Sequence, residues 1–413
     1  MKIRLFKCFI FLFLIISLAS CTGLVGIEDF TAGKDYYRQS SYNNAIRKFS
    51  ESIKQNPTHW KFYYYRALAY IKLEKINLAI QDLTKSLELL PTVDTWYSKL
   101  PTEEWALIYV RRGTLFYEKE NYALALKDYN QALDLDSNCV GAYFYRGITK
   151  EKLNKFSEAV EDYTQAIDKM SYSFSGIGDA LKIRVYLHRA VVNREQNFLQ
   201  LALKDNNQAI NIKGTWETYL SRSITHAKLG NYDNAISDLD RTIELNPIAG
   251  TAYVFRADVK QLKNCDLNQV LEDHLSALNV RGLDPKIIME IYNSMAWISA
   301  VADDDNIRNA KKAVVYAKKS IEIQENFMNL DTLAVALAAT GEFEEAISIQ
   351  KKAIDLCKKN APKYLSIIES HLDALKNRKE IREKCPGLEF VENYFKTATE
   401  SSEQPFDILI TEP

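Results

Sequence analysis

Residues 140–173 read VGAYFYRGITKEKLNKFSEAVEDYTQAIDKMSYS. Six positions in this stretch recur elsewhere in the chain: Tyr143, Arg146, Gly147, Ala159, Tyr163 and Ala166. Residues 106–139 repeat them as Tyr109, Arg112, Gly113, Ala125, Tyr129 and Ala132. Residues 60–93 carry Tyr63, Arg66, Ala67, Ala79, Leu83 and Pro91, and residues 26–59 carry Gly33, Tyr36, Ala45, Phe49 and Pro57. Further copies fall at 183–215 (Tyr186, Arg189, Ala190, Ala202, Ala209), 216–249 (Tyr219, Arg222, Ala235, Leu239, Pro247) and 250–283 (Tyr253, Arg256, Ala257, Val270, Ala277). Self-similarity at a fixed period near 34 residues marks a two-helix unit that cannot bury its apolar face alone and must stack on its neighbours. Small residues let the two helices approach closely, aromatics fill the space between hairpins, and proline ends the second helix by removing a donor.

This pattern resembles the tetratricopeptide repeat. The resemblance implies an all-α fold, a right-handed superhelical solenoid of about nine helix hairpins with a C-terminal capping helix. Residues 289–326 and 327–360 supply two further units, with Tyr292, Ala296, Ala313 and Ala317 in one and Leu330, Ala334, Gly341, Ala346 and Ala353 in the other. Residues 362–384 are expected to form one long amphipathic capping helix. Two insertions, 94–105 and 174–182, interrupt the period. The first holds Trp96, Tyr97 and Trp105, which either bind a partner or seal the seam between units; the second contains Gly and Ser and is expected to be flexible. The tail 396–413 has a composition that favours mobility.

A second correlation runs through the repeats. Arg66, Arg112, Arg146, Arg189 and Arg222 are each followed sixteen residues later by an acid: Asp82, Asp128, Asp162, Asp205 and Asp238. Arg256 precedes Asp273 by seventeen, where the turn is one residue longer. A spacing that absorbs an insertion favours an ion pair inside each hairpin over an anion-binding ladder. Such pairs set register more than they stabilise.

The 413 residues are 47% apolar and 26% charged, with only 14 Gly and 9 Pro, which excludes a disordered, collagenous or disulfide-dense chain. The N-terminus is read as an address. Lys2, Arg4 and Lys7 precede the apolar run Cys8 to Ile16, too short to span a bilayer but suited to a secretory signal. Leu18-Ala19-Ser20-Cys21 is similar to the bacterial lipobox, which implies a signal peptide over 1–20, acylation of Cys21 and a lipidated linker over 21–25. Beyond the signal, 50 basic side chains face 54 acidic ones, giving no global reason to bind nucleic acid. The four remaining cysteines, Cys139, Cys265, Cys357 and Cys385, lack zinc-ligand spacing. Pairing of Cys357 with Cys385 is disfavoured because a helix through residue 384 would hold their ends roughly 30 Å apart. Four free, mostly buried thiols are expected.

No residues point to catalysis, a metal or a cofactor. The five histidines are scattered, no phosphate-binding loop, nucleophile elbow or zinc-protease motif occurs, and the acidic turn 302–306 lacks the ligand spacing of a calcium loop. The expected function is therefore binding. By the resemblance, first helices line a groove at Phe30, Lys34 and Tyr37; Tyr64, Leu68 and Ile71; Val110, Thr114 and Tyr117; Phe144, Ile148 and Glu151; Leu187, Val191 and Arg194; and Leu220, Ile224, Val254 and Asp258. Phe30, Tyr37, Tyr64, Tyr117, Phe144 and Leu187 are the leading candidates for contact with a partner. The sequence thus describes a scaffold for proteins or peptides of the bacterial cell envelope. It would be lipid-anchored at the cell membrane or outer membrane and face the periplasm or the cell exterior. The alternative is a ligand-binding periplasmic lipoprotein subunit associated with a transporter.

Overall fold

The computed structural model describes residues 25–90, 102–172 and 178–385. Among them the chain is helical, with a single isolated bridge between Ala302 and Glu383. The helices follow in consecutive pairs. They are α1 (Ile27–Arg38) and α2 (Tyr42–Gln55), α3 (Trp60–Lys72) and α4 (Ile76–Glu88), α5 (Thr102–Glu118) and α6 (Tyr122–Leu135), α7 (Val140–Lys152) and α8 (Phe156–Tyr172). Next come α9 (Asp179–Glu195) and α10 (Leu199–Ile212), α11 (Trp216–Lys228) and α12 (Tyr232–Leu245), α13 (Gly250–Asn264) and α14 (Leu267–Leu278). The last pairs are α15 (Pro285–Val301) with α16 (Ala310–Ile323), and α17 (Phe327–Ala339) with α18 (Phe343–Asn360). A short 3₁₀ turn (Pro362–Tyr364) then leads into α19 (Leu365–Lys376). The described residues form two compact units that divide between Val192 and Asn193.

The turn inside most hairpins closes on one residue in the left-handed region, such as Glu120 (φ 58°), Asn154 (φ 58°) and Gly230 (φ 75°). At Asn154 the backbone N–H of Lys155 donates to Lys150 O at 2.8 Å, capping carbonyls that the helix end leaves unpaired.

Each repeated arginine makes three kinds of contact. In Arg66, Arg112, Arg146, Arg222 and Arg256, Nε and Nη2 donate to both oxygens of the aspartate on the second helix of the same hairpin, at 2.6–3.1 Å. Nη1 reaches back to the preceding hairpin: to Ser50, Thr84, Asn130, Asn207 and Asp240 respectively. From Thr84 onward that acceptor stands two residues after the preceding hairpin's own aspartate. The guanidinium also lies over the tyrosine three residues earlier, 5.5–5.8 Å from its ring centre, which accounts for the Tyr-x-x-Arg spacing. The carboxylates are at most 8% exposed and the arginine side chains 17–24%. Arg189 and Asp205 fall on opposite sides of the unit boundary; within its own unit Arg189 Nη1 donates to Thr164 Oγ1 at 2.9 Å.

In five hairpins the small residue of the first helix is matched to the residue sixteen positions on. Gly33, Gly113 and Gly147 face Phe49, Tyr129 and Tyr163, and a Cβ on them would lie 2.5, 2.7 and 2.6 Å from a ring carbon. Where the small residue is Ala67 or Ser223, the partner sixteen residues on is the smaller Leu83 or Leu239, also fully buried. Volume is conserved within these five hairpins, as close packing requires.

The C-terminal end differs from the sequence expectation in two ways. The capping helix does not run from 362 to 384: α19 stops at Lys376, and residues 377–385 turn back along hairpin α15–α16 as a strap. Cys265 and Cys385 form a disulfide with Cα atoms 5.6 Å apart. The expectation of four free thiols is therefore corrected to two, the buried Cys139 and Cys357. The error came from the helix. Extending it to residue 384 pointed Cys385 away from the stack, whereas the early end lets the strap bring it to the last turn of α13. Insertion boundaries shift as well. Trp105, placed in the first insertion, is 3% exposed inside α5, and α9 begins at Asp179, within the second. Trp96, Tyr97, the signal with Cys21, and the tail 396–413 lie outside the described residues.

Under the cap, His371 Nδ1 faces both oxygens of Asp331, at 2.9 and 3.1 Å, and Gln350 Nε2 donates to the same carboxylate. Burial presses the His371 ring toward its neutral form, but the hydrogen bond and charge of Asp331, with Glu383 beyond, outweigh it and raise the pKa. His274, buried without such a partner, is pushed down to about 4 by desolvation.

Two outcomes follow from this packing. Gly147→Ala should destabilise by about 1–3 kcal/mol through overpacking, and adding Tyr163→Leu, the pairing that hairpin α3–α4 uses, should recover part of the loss; urea titration reads both. For His371 the folded pKa lies above the unfolded one. Its stabilisation is complete below about pH 6.5 and is lost as pH rises through the raised value. His274 runs the other way and costs stability as pH falls from about 6.5 toward 4. Asp331→Asn should flatten the alkaline arm of the stability–pH curve and leave the acidic arm in place.

Candidate functional site

Among the described residues no group of three or more His, Cys, Asp or Glu side chains is arranged to hold a metal. The candidate site is a surface, the face of the first helices. Its register is fixed by the small residue of each hairpin (Gly33, Ala67, Gly113, Gly147, Ala190, Ser223, Ala257): the predicted positions stand three before, one after and four after it.

These positions differ in exposure. Many of the first two sets are buried by stacking: Tyr64 is 7% exposed, Leu68 4%, Val110 0%, Thr114 0%, Phe144 0% and Ile148 4%. Phe144 packs among Tyr145, Tyr163 and His188, and Tyr64 Oη accepts from Arg111 Nε at 2.9 Å. Tyr64 and Phe144 thus hold the hairpins together and offer little to a partner. The positions four after the small residue stay partly open: Tyr37, Ile71, Tyr117 and Glu151 in the first unit. Phe30 and Leu187 are also partly open. Lys34 Nζ lies 5.0 Å over the Phe30 ring, placing a cation at the edge of the aromatic group. Tyr37 and Tyr117 make the same edge-on contact, with Tyr42 at 5.5 Å and Tyr122 at 5.4 Å, so each ring is held rigid by the start of the second helix. Rigid, partly open aromatics supply contact area with little entropy to lose on binding.

Polar groups on this face are mutually engaged. Glu151 Oε2 accepts from Tyr163 Oη at 2.7 Å and stands 3.3 Å from His188 Nδ1. In the second unit Arg194, predicted to line the groove, is instead 2% exposed and donates to Ser221 and Thr225. Leu220, Val254 and Asp258 remain partly open there. Desolvation, with the Glu290 charge nearby, pushes the Asp258 carboxyl up to about 7. The face of the first unit is thus aromatic with a cation, and that of the second aliphatic with an acid. Sequence reasoning could not rank the positions on the first helices, because burial depends on the neighbouring hairpin.

Comparison with known proteins agrees with this build. Residues 30–93 and 110–173 match one tetratricopeptide repeat family model, and residues 217–248 and 330–360 match two others of the same description. Mitochondrial import receptor subunit TOM70 of Homo sapiens is 23% identical over 299 residues, covering 72% of this chain and 46% of that protein. A TPR repeat-containing protein of Methanocaldococcus jannaschii is 22% identical over 385 residues, covering 87% of this chain and 57% of the other. The chain thus spans about half the length of these two relatives. A crystal structure of a tetratricopeptide repeat protein from Parabacteroides merdae is 17% identical, with a TM-score of 0.47, covering 64% of this chain and 96% of that one. The matched stretches of this chain are similar to tetratricopeptide repeats.

Proposed function

We propose that this chain is a scaffold that holds protein or peptide segments on the face of its first helices, lipid-anchored through Cys21 in a bacterial cell envelope. The observation that carries the binding reading is the set of partly open, rigidly held aromatics Phe30, Tyr37 and Tyr117, with Lys34 over the first of them. Such groups suit an extended or amphipathic segment with an apolar side chain and a nearby acid. One relative, named as a mitochondrial import receptor subunit, favours a protein partner. The envelope reading rests on Lys2, Arg4, Lys7, the apolar run and Leu18-Ala19-Ser20-Cys21. The Cys265–Cys385 disulfide supports it, since such bonds persist in oxidising compartments. A multiply acylated Cys21 would hold the chain at the cell membrane or outer membrane, facing the periplasm or cell exterior, and raise the effective concentration of membrane-bound partners.

Crosslinking in membranes with the full chain tests the binding reading. Tyr37→Ala combined with Tyr117→Ala should reduce the yield of crosslinked protein at least tenfold, about 1.4 kcal/mol, with helix content unchanged. A bound lipid-like molecule found by mass spectrometry without any protein crosslink would instead favour a transporter-associated ligand-binding subunit. For the anchor, Cys21→Ala should abolish acyl labelling and release the chain from the membrane fraction. Continued labelling and sedimentation in that variant would refute acylation at Cys21.

A further inference from the structure

The register of the first-helix face extends to the last two hairpins, whose small residues are Ala296 and Ala334. The equivalent positions are Asn293, Trp297 and Ala300 on α15, and Asp331, Val335 and Ala338 on α17. In the second unit the C-terminal segment meets this register hairpin by hairpin. His371 on α19 pairs with Asp331. Its ring lies 5.4 Å from that of Trp297, one hairpin further back. The strap then crosses α15: Ile381 packs against the cluster formed by Trp297, Ala300, Val301, Ala313, Val335 and Ala336, and Glu383 Oε2 accepts from Trp297 Nε1 at 3.2 Å. Its backbone pairs as an added strand would. Glu383 N donates to Val301 O at 2.8 Å, and Asp303 N donates to Glu383 O at 3.1 Å. Arg382 Nη1 reaches Ala302 O at 3.2 Å and Asp305 Oδ1 at 3.1 Å. Cys385 finally bonds to Cys265, four residues beyond Gln261, the last register position of α13.

The residues under the strap are closed to solvent: Trp297 is 6% exposed and Ala300 1%. One short segment therefore runs across successive first helices, contributing an apolar side chain, a cation, a carboxylate and a strand-like backbone.

We infer that residues 377–385 are a built-in occupant of the first-helix face of hairpin α15–α16, latched by the Cys265–Cys385 disulfide, and that opening the latch frees this face for an extended partner segment of the same apolar–basic–acidic pattern. The inference rests on the proposed use of this face for binding. A dithiol supplies the chemistry. Its thiolate attacks one sulfur to form a mixed disulfide, and its second thiol then displaces that bond. The protein disulfide gains two electrons and two protons to become two thiols, while the dithiol is oxidised to its own disulfide. Strand-like pairing gives affinity, and the Trp297 and Asp305 contacts give specificity.

The test uses the full chain in oxidised form, after dithiothreitol, and as Cys385→Ser. The probe is a fluorescein-labelled peptide of residues 377–384, with a control peptide carrying alanine in place of Ile381 and Glu383. Hydrogen exchange at the Glu383 and Asp303 amides should quicken at least tenfold on reduction and in Cys385→Ser, with far-ultraviolet circular dichroism unchanged. The peptide should bind those two forms at least tenfold more tightly than the oxidised chain, and the control should not. Unchanged exchange after reduction would overturn the latch. Faster exchange with equal peptide binding to oxidised and reduced chains would overturn the strap as an occupant, as would equal binding of the control. Loss of helix on reduction would show a structural brace and would also overturn the inference. None of these results bears on crosslinking through Tyr37 and Tyr117, which lie in the other unit and test the binding proposal separately.

Discussion

The structure depends on one side chain used repeatedly, an arginine that grips its own hairpin and touches the one before it. Two nitrogens of Arg146 hold both oxygens of Asp162, and the third reaches Asn130 on the preceding hairpin. A planar guanidinium does this well, because its donors are fixed in a fork that fits a carboxylate and still leaves one nitrogen free. The energetic yield of each pair is modest, since desolvation offsets much of the attraction. What the arrangement fixes is register. A first helix that slid along the second helix of its own hairpin would leave a nearly buried aspartate unpaired, which costs far more than the pair contributes.

Packing refines what the ion pairs set. Gly147 with Tyr163, and Ala67 with Leu83, fill the same space from opposite sides of a hairpin. The repeats can therefore diverge in sequence while their spacing holds. Where hairpin α13–α14 has one extra residue, the pair Arg256–Asp273 still forms, at 2.6 and 3.1 Å.

Much of this was legible in the chain. The Arg-to-Asp spacing of sixteen, the aromatic positions and the small residues placed the hairpins, because local contacts at short separation write themselves into periodicity. The acceptors at Thr84, Asn130 and Asp240 were equally regular, yet a polar residue on a helix surface carries no mark of its partner. The openness of Phe30 and the burial of Phe144 were not readable, since both stand three residues before the small residue of their hairpin and differ only in what packs beside them. The disulfide was the least legible feature. Its cysteines are 120 residues apart, and nothing local in Lys376 or Asn377 announces that the last helix ends there.

The central claim is that the third arginine nitrogen couples successive hairpins. A double-mutant cycle on Arg146 and Asn130, followed by urea unfolding of the full chain, measures that coupling directly. A favourable interaction on the order of 1 kcal/mol between Arg146→Lys and Asn130→Ala is the expected result. Simple additivity of the two substitutions would show that the hairpins stack by apolar contact alone, and would contradict the account.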